Sequence, residues 1–558
     1  MVRKFLSFLS RETTSLNQAA LLLGLFSFLS LVLAFLRDRL LASLFGASLE
    51  LDIYYAAFRI PDFLFVTVAS VVSLSVIIPF IVEKEVVGRE ALRTFIDSIF
   101  SFFLLLMLVT AGVAYLVMPS LSHLLFKGLP PEALSQTVFL SRLLLISPIV
   151  LGLSNLFGSI TQAYHRFAIY ALAPLLYNGG IILGTLWWAK SLGILGVTYG
   201  VLLGALGHLL IQAPFVFNLG LLPRPSLKWD LALIKRVVRI SFPRTLTLSM
   251  SSLALIFLVA LASLMTEGSI SVLSFSINLQ GVPLALIGVS YSLAAFPTLT
   301  RKFQEKNLES FLEQMRDTAR FIIFWSLPLS ALLIVLRAQV VRVLLGSGLF
   351  DWPATRLTAA ALALFVISSV FQSLMLLLMR GFYSAGITRK PFSLSLISTL
   401  FLMGATYFLT QAFYASENFR YFVTALMKVE DLPNSVVLML PLGFTLGTIL
   451  NTLLLWFFFE REFRGFSRGV MRSCFEGLGA AFIMGAVSYA GLNLFDNLFN
   501  LETLVGIFLQ GFLAGLLGIA AGLLVLYLLR SKELTQIGTA LKGQFWKAEV
   551  IATDPEIV

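Results

Sequence analysis

Fourteen apolar stretches, each about as long as a bilayer is thick, decide what this chain of 558 residues can become. A helix needs about 20 mostly apolar residues to cross about 30 Å of hydrocarbon. Stretches of that kind run near 18–44, 52–82, 95–121, 134–163, 168–189, 194–220 and 238–265. They continue near 270–299, 318–345, 355–384, 391–413, 434–459, 474–494 and 502–529. Charged residues make up 12% of the chain, about half the share with which a soluble domain wets its surface. The expected class is an all-α polytopic membrane protein. A soluble enzyme and a disordered chain are both excluded.

The loops carry an independent signal. Placing the N-terminus inside puts Lys84, Arg89, Arg93, Arg166, Arg224, Lys228, Lys235 and Arg236 in cytoplasmic loops. Arg301, Lys302, Lys306, Arg389, Lys390, Arg461, Arg464 and Arg468 follow the same alternation, while the opposite loops keep only Lys127, Lys190, Arg420 and Lys428. Both termini are therefore expected in the cytoplasm. The net charge of +11 reads as this loop enrichment and not as a nucleic-acid surface. Segment 1–17 is basic and lacks an Ala-x-Ala site, so a retained first span is expected rather than a cleaved signal peptide.

A faint repeat suggests the organisation. Leu41-Ala-Ser-Leu leads to a helix with Pro61, and Leu261-Ala-Ser-Leu leads to one with Pro283. Ala163-Tyr-His-Arg-Phe167 and Gly381-Phe-Tyr-Ser-Ala close matching spans at an offset of about 220 residues. Parallel repeats of six spans follow: lobes at 18–222 and 223–460, a helix pair at 461–530 and a cytoplasmic tail at 531–558. Pro61, Pro148, Pro243, Pro283 and Pro328 lie inside spans, where neighbours or a wet cavity must satisfy the freed carbonyls.

No motif for catalysis is present. Walker A, His-Glu-x-x-His and Gly-x-Ser-x-Gly patterns are missing, and Cys474, His123, His165 and His208 offer no metal-ligand spacing. A transporter is expected, without a cofactor or metal, and driven by the membrane potential or an ion gradient. The informative residues are charges at membrane depth, each costing about 2.5–3.5 kcal/mol at a helix centre. Arg37, Asp38 and Arg39 end the first span; Asp52 opens the second, and Arg59 precedes Pro61 within it. Arg37 and Arg59 suit a solvated cavity, where guanidinium groups clamp phosphate, whereas Asp38 and Arg39 read equally well as a structural pair. Ser271, Ser274, Ser276, Asn278 and Gln280 are too polar together for a lipid-facing helix. They read as a cavity lining or as helix–helix hydrogen bonding. Arg142, Arg244 and Arg380 are further buried arginines or interfacial anchors.

These residues carry a resemblance. Ser30-Leu-Val-Leu-Ala-Phe-Leu-Arg-Asp38, Phe45-Gly-Ala-Ser48 and Asp52-Ile-Tyr-Tyr-Ala-Ala-Phe-Arg-Ile-Pro61 resemble the opening of the MurJ (MviN) lipid II flippases. Ala163-Tyr-His-Arg-Phe167, Ala171-Leu-Ala-Pro174 with Asn178, Gly381-Phe-Tyr383 and Thr388-Arg-Lys-Pro391 look like that family's later signatures. The resemblance implies the multidrug/oligosaccharidyl-lipid/polysaccharide exporter fold: two six-helix lobes around a central cavity, and a final helix pair with a groove for the lipid tail. It implies lipid II, the undecaprenyl-diphosphate-linked muropeptide, as cargo in the bacterial plasma membrane, for cell wall biogenesis, with cell-wall synthesis proteins as candidate partners. The family's essential cavity arginine matches Arg37, its aspartate matches Asp52, and its small cavity residues match Ala42 and Ser271. Three other family arginines fall on Leu31, Phe65 and Asn278, and a glutamate falls on Gly281, so those charges are absent. Arg59, Arg142 or Arg244 would compensate. The rival readings are an exporter of another lipid-linked oligosaccharide or of drugs, and a scaffold for cell-wall enzymes. A glycosyltransferase would need more outer loop than the polar segment 414–433 offers.

Overall fold

The computed structural model describes residues 16–68, 74–226 and 229–546, with their side chains except at 16–21, 74–76, 240, 243–244 and 540–546. Every regular element among them is helical. Twelve helices, from Arg89–Leu125 to Leu504–Leu528, are long and apolar enough to cross a membrane. Of the three helices before them, two carry charges within long apolar stretches: Arg37, Asp38 and Arg39 in Leu16–Phe45, and Glu50, Asp52, Arg59 and Asp62 in Leu49–Val68; the third, Leu74–Val87, is short. Adding these two brings the count to the fourteen read from the sequence.

Prolines shape the spans as their chemistry requires. Pro61 has no N–H for the carbonyl of Ala57, and the hydroxyl of Ser141 donates to that oxygen instead at 3.1 Å. Pro148 cannot bond the carbonyl of Leu144, and the stretch read as one span divides there into Pro131–Leu144 and Ile146–Ala163. Pro283 ends an α run, and Leu284–Val289 winds on as a π-helix.

The chain forms two compact units, residues 1–279, 341–365 and 388–451 in one, and 280–340, 366–387 and 452–558 in the other. Four of the five borders fall inside helices, Ser269–Pro283, Arg337–Leu345, Trp352–Ser384 and Met439–Glu462, and the fifth lies between Ser384 and Arg389. In the first unit, Phe167–Trp187 packs on Ile194–Leu210 through glycine. A Cβ on Gly180 would lie 2.3 Å from the Cα of Gly204, and one on Gly184 would lie 2.4 Å from the Cα of Gly200. Small residues replace the hydrophobic effect as the means of bringing helices together in lipid. A strap closes the same unit: Arg356 holds both oxygens of Asp431, at 2.6 and 2.7 Å. That bond holds the Asp431 carboxyl below its ordinary pKa. The polar segment 414–433 forms a helix, Glu417–Met427, whose start is capped by Ser416.

In the second unit Phe303, Phe311, Phe382, Phe459 and Phe463 form one aromatic cluster. The pair Val470–Phe495 and Leu504–Leu528 packs closely, with a Cβ on Gly522 placed 2.5 Å from the end of Met484. The segment after it begins as a helix, Lys532–Trp546, tied down by a buried carboxylate. Glu533 accepts from Ser473 at 2.7 Å, Ser531 at 2.7 Å and Arg320 at 2.8 Å. Burial pushes its pKa up, but these hydroxyls and the arginine charge bring it below the ordinary value.

The glycine contact yields a direct test. Gly180→Val drives a side chain into the facing backbone and should destabilise the protein by about 1–3 kcal/mol. Gly179→Ala, whose Cβ meets nothing within 4 Å, should melt like the parent. Thermal unfolding in detergent compares the two, and equal melting would contradict the packing.

Candidate functional site: a polar cavity in the first unit

Asp52 ties two helices together. It is 2% exposed, and its Oδ2 accepts the N–H of Gly268 at 2.7 Å. Its Oδ1 accepts the N–H of Ser271 at 2.7 Å and the hydroxyl of Ser271 at 2.6 Å. The first N–H groups of a helix have no partner within it, and the positive end of its dipole attracts an anion. Asp52 thus caps the helix Ser269–Pro283 from across the unit. Gly268 has φ +86, and a Cβ there would meet the carbonyl oxygen of Ala47 at 2.4 Å, so the turn needs glycine.

Both helices run onward from this tie. Asp52, Tyr55, Arg59 and Asp62 recur at i, i+3, i+7 and i+10, on one face of the first; Ser271, Ser274 and Asn278 recur at i, i+3 and i+7 on the second. The rings of Tyr55 and Phe275 meet edge to face at 5.8 Å between them. Beyond the tie the two polar faces line a cavity of about 250 Å³. Leu16–Phe45 adds Arg37 and Asp38 to its wall, and Phe167–Trp187 adds Tyr177.

The charges in the wall are arranged in order. Arg37 donates through Nε to Asp38 at 2.9 Å and through Nη1 to the Oδ1 of Asn178 at 3.1 Å, while its Nη2 lies 2.8 Å from Asp38. Asn178 is held in turn by the carbonyl of Pro174 and the hydroxyl of Ser30. The second oxygen of Asp38 accepts from Asn278 at 3.0 Å. Arg59 donates through Nε to the carbonyl of Tyr55 at 3.0 Å. Asp62, one turn on, faces the cavity with no hydrogen bond or ion pair among the described residues. The hydroxyls of Tyr55 and Ser274 are buried without a partner, a condition that costs about 1–3 kcal/mol until something fills it.

The sequence-derived residues therefore divide. Arg37, Arg59 and Asn278 come together in the cavity wall. Asp52 and Ser271 bond each other in the cap, and Ala42, fully buried, passes its carbonyl to the N–H of Gly46. None of these three lines the cavity. Arg142 lies outside it as well, stacked 4.4 Å over Tyr115 and bonded to that residue's carbonyl. Gln280 belongs to the second unit, buried with its Nε2 unpaired. The side chain of Arg244 lies outside the described residues. Sequence reasoning passed over Tyr54, Tyr55, Asp62 and Tyr177. The i, i+4, i+7 spacing of Tyr55, Arg59 and Asp62 was the signal that could have found two of them. Phe65, where the family has an arginine, packs against the cluster that contains Phe80, Phe95 and Phe103. Arginine's absence there is repaired by packing, whereas Asn278 keeps a polar contact with Asp38.

A family model described as lipid II flippase MurJ matches residues 41–510. The chain belongs to that family. Curated relatives include the probable lipid II flippase MurJ of Buchnera aphidicola subsp. Acyrthosiphon pisum, 28% identical over 387 residues, covering 68% of this chain and 75% of the relative. The lipid II flippase MurJ of Burkholderia cenocepacia is 25% identical over 394 residues, covering 68% and 76%. Among solved structures, a lipid II flippase MurJ in an inward closed conformation covers 91% of this chain and 99% of its own, with TM-score 0.71 and 20% identity. An inward-facing multidrug resistance MATE transporter of the MOP superfamily covers 79% and 96%, with TM-score 0.61 and 16% identity. These likenesses establish the exporter fold, and the family membership makes the chain a transporter and not an enzyme.

The cap predicts a separable phenotype. Asp52→Ala removes three acceptor contacts and should lower stability by about 1–3 kcal/mol. The loss should show as a lower melting temperature in detergent, partly restored by Asp52→Asn. An unchanged melting temperature with ligand binding abolished would make Asp52 a ligand-contacting residue instead.

Proposed function

We propose that this chain is a lipid II flippase of the bacterial plasma membrane, moving the undecaprenyl-diphosphate-linked muropeptide from the cytoplasmic to the outer leaflet. The observation that carries the reading is Arg37, the family-matched arginine, set in a polar cavity wall with donors to spare. A guanidinium has five N–H donors. Three of those of Arg37 point at Asp38 and Asn178, which leaves two for a phosphate oxygen and keeps the planar group in a fixed orientation. Arg59 has no hydrogen bond from its Nη donors among the described residues and supplies the second cation of a diphosphate clamp.

The physical task is to carry a very polar head group past hydrocarbon while its apolar tail stays in lipid. A hydrated cavity accommodates the phosphate end of the head, and the helix pair 461–530 is the part assigned to the tail. Rocking of the lobes 18–222 and 223–460 would open the cavity first to one side and then to the other. No nucleotide motif is present, so the membrane potential or an ion gradient supplies the bias, at about 2.3 kcal/mol per charge per 100 mV. The Lys and Arg alternation supports a topology with both termini in the cytoplasm.

Two experiments test these statements. In vesicles, lipid II translocation should fall by about one to two orders of magnitude in Arg37→Ala, because a charge-assisted hydrogen bond is lost. Arg37→Lys should recover part of it, since an ammonium cannot bond bidentately. Lys532→Ala is the control. Full transport by a folded Arg37→Ala protein would move the site elsewhere. For orientation, single cysteines between 494 and 501 should label from outside and one at Arg464 should not; the reverse pattern would overturn the topology.

A further inference from the structure

The four ionisable side chains of the cavity are not equivalent. Arg37 and Asp38 pair with each other, and Asn278 takes the second oxygen of Asp38. The other two, set one turn apart on a single helix, feel each other's charge but form no ion pair with one another, and both face the cavity. Arg59 offers its terminal N–H donors, and three residues on, about 4.5 Å along the axis, Asp62 offers only acceptors. Beside them the hydroxyls of Tyr55 and Ser274 have no partner, although the residues are only 7% and 4% exposed.

A bare diphosphate accounts for Arg59 and leaves Asp62 facing a like charge. Whatever fills the place next to Asp62 must donate hydrogen bonds, and it must sit within one ring's width of the anion on Arg59. A sugar joined to phosphate through its anomeric oxygen has this layout. Its phosphoryl oxygens accept, and its ring hydroxyls and acetamido N–H donate a few bonds away. The cavity, at about 250 Å³, is smaller than the about 300–1,000 Å³ of pockets that enclose a whole drug-sized ligand. It suits a phosphate and the first ring, and not the full disaccharide peptide.

The geometry points to a glycosyl-phosphate subsite in which Arg59 takes the phosphate and Asp62, with the Tyr55 and Ser274 hydroxyls, takes the donors of the first sugar. This rests on the flippase reading and adds selectivity to it. The sugar-loaded carrier satisfies Asp62, whereas the empty diphosphate carrier leaves that carboxylate unpaired beside its own charge. The protein thereby distinguishes cargo from spent carrier lipid.

Binding of three lipids to the purified full-length protein, followed by native mass spectrometry, tests the assignment. The probes are undecaprenyl diphosphate, the same carrier with one N-acetylated sugar and no peptide, and complete lipid II. The parent should prefer the sugar-bearing lipid over the bare carrier by about tenfold, the gain from one charge-assisted hydrogen bond. That ratio should fall toward one in Asp62→Ala and fall in part in Tyr55→Phe and Ser274→Ala, two changes that remove only a hydroxyl. Arg59→Ala should weaken all three lipids and keep the ratio. A ratio unmoved by Asp62→Ala, or a preference that emerges only with the peptide attached, overturns the sugar subsite and leaves the flippase reading standing. Failure of the parent to bind any of the three overturns both.

Discussion

The architecture of the cavity depends on one buried carboxylate at the start of a helix. Asp52 bonds two N–H groups and one hydroxyl of a segment more than 200 residues away in the sequence. In hydrocarbon an unpaired carboxylate or an uncapped helix start would each be costly, and here each relieves the other. The tie also sets a register. Counting from Asp52 and from Ser271, the polar positions of the two helices recur on matching faces. Arg59 and Asp62 therefore arrive in the wall that Ser274 and Asn278 also line.

A second aspartate has a different task in the same unit. Asp38 orients the guanidinium of Arg37 and receives Asn278, so a charge at membrane depth is held ready without being left bare. The cavity wall carries Arg37 and Arg59 against Asp38 and Asp62. Its formal balance is neutral, unlike a purely cationic clamp. The cation of the wall that forms no ion pair among the described residues is Arg59. This distribution separates this chain from a drug exporter that would need only the shared fold, because a fixed arginine with unused donors is suited to an anion.

Much of the fold could be read before any coordinate was known. Apolar length decides spans in a bilayer, and the twelve apolar helices and two charged ones follow from that rule alone. Pairings across the chain could not be read in this way. A carboxylate in an apolar helix announces that it has a partner but not which one, so the sequence leaves Asp52 and Ser271 open between cavity lining and a bond across helices, and the structure joins them in a cap. For Arg142 the sequence leaves cavity lining and interfacial anchor open for a related reason, since an arginine stacked on an exposed tyrosine and one lining a cavity have the same sequence signature. Asp62 was missed because Pro61 draws attention as a break, although the helix continues through it with Ser141 supplying the missing bond.

The central claim is that the head group of lipid II lies between Arg37 and Arg59. An electron cryomicroscopy map of the protein in a lipid nanodisc with lipid II bound tests it most directly. The account predicts phosphate density within hydrogen-bonding distance of both guanidinium groups, with the first sugar against Asp62. Head-group density away from these arginines, with Arg37 still bonded to Asp38 and Asn178 alone, would contradict it.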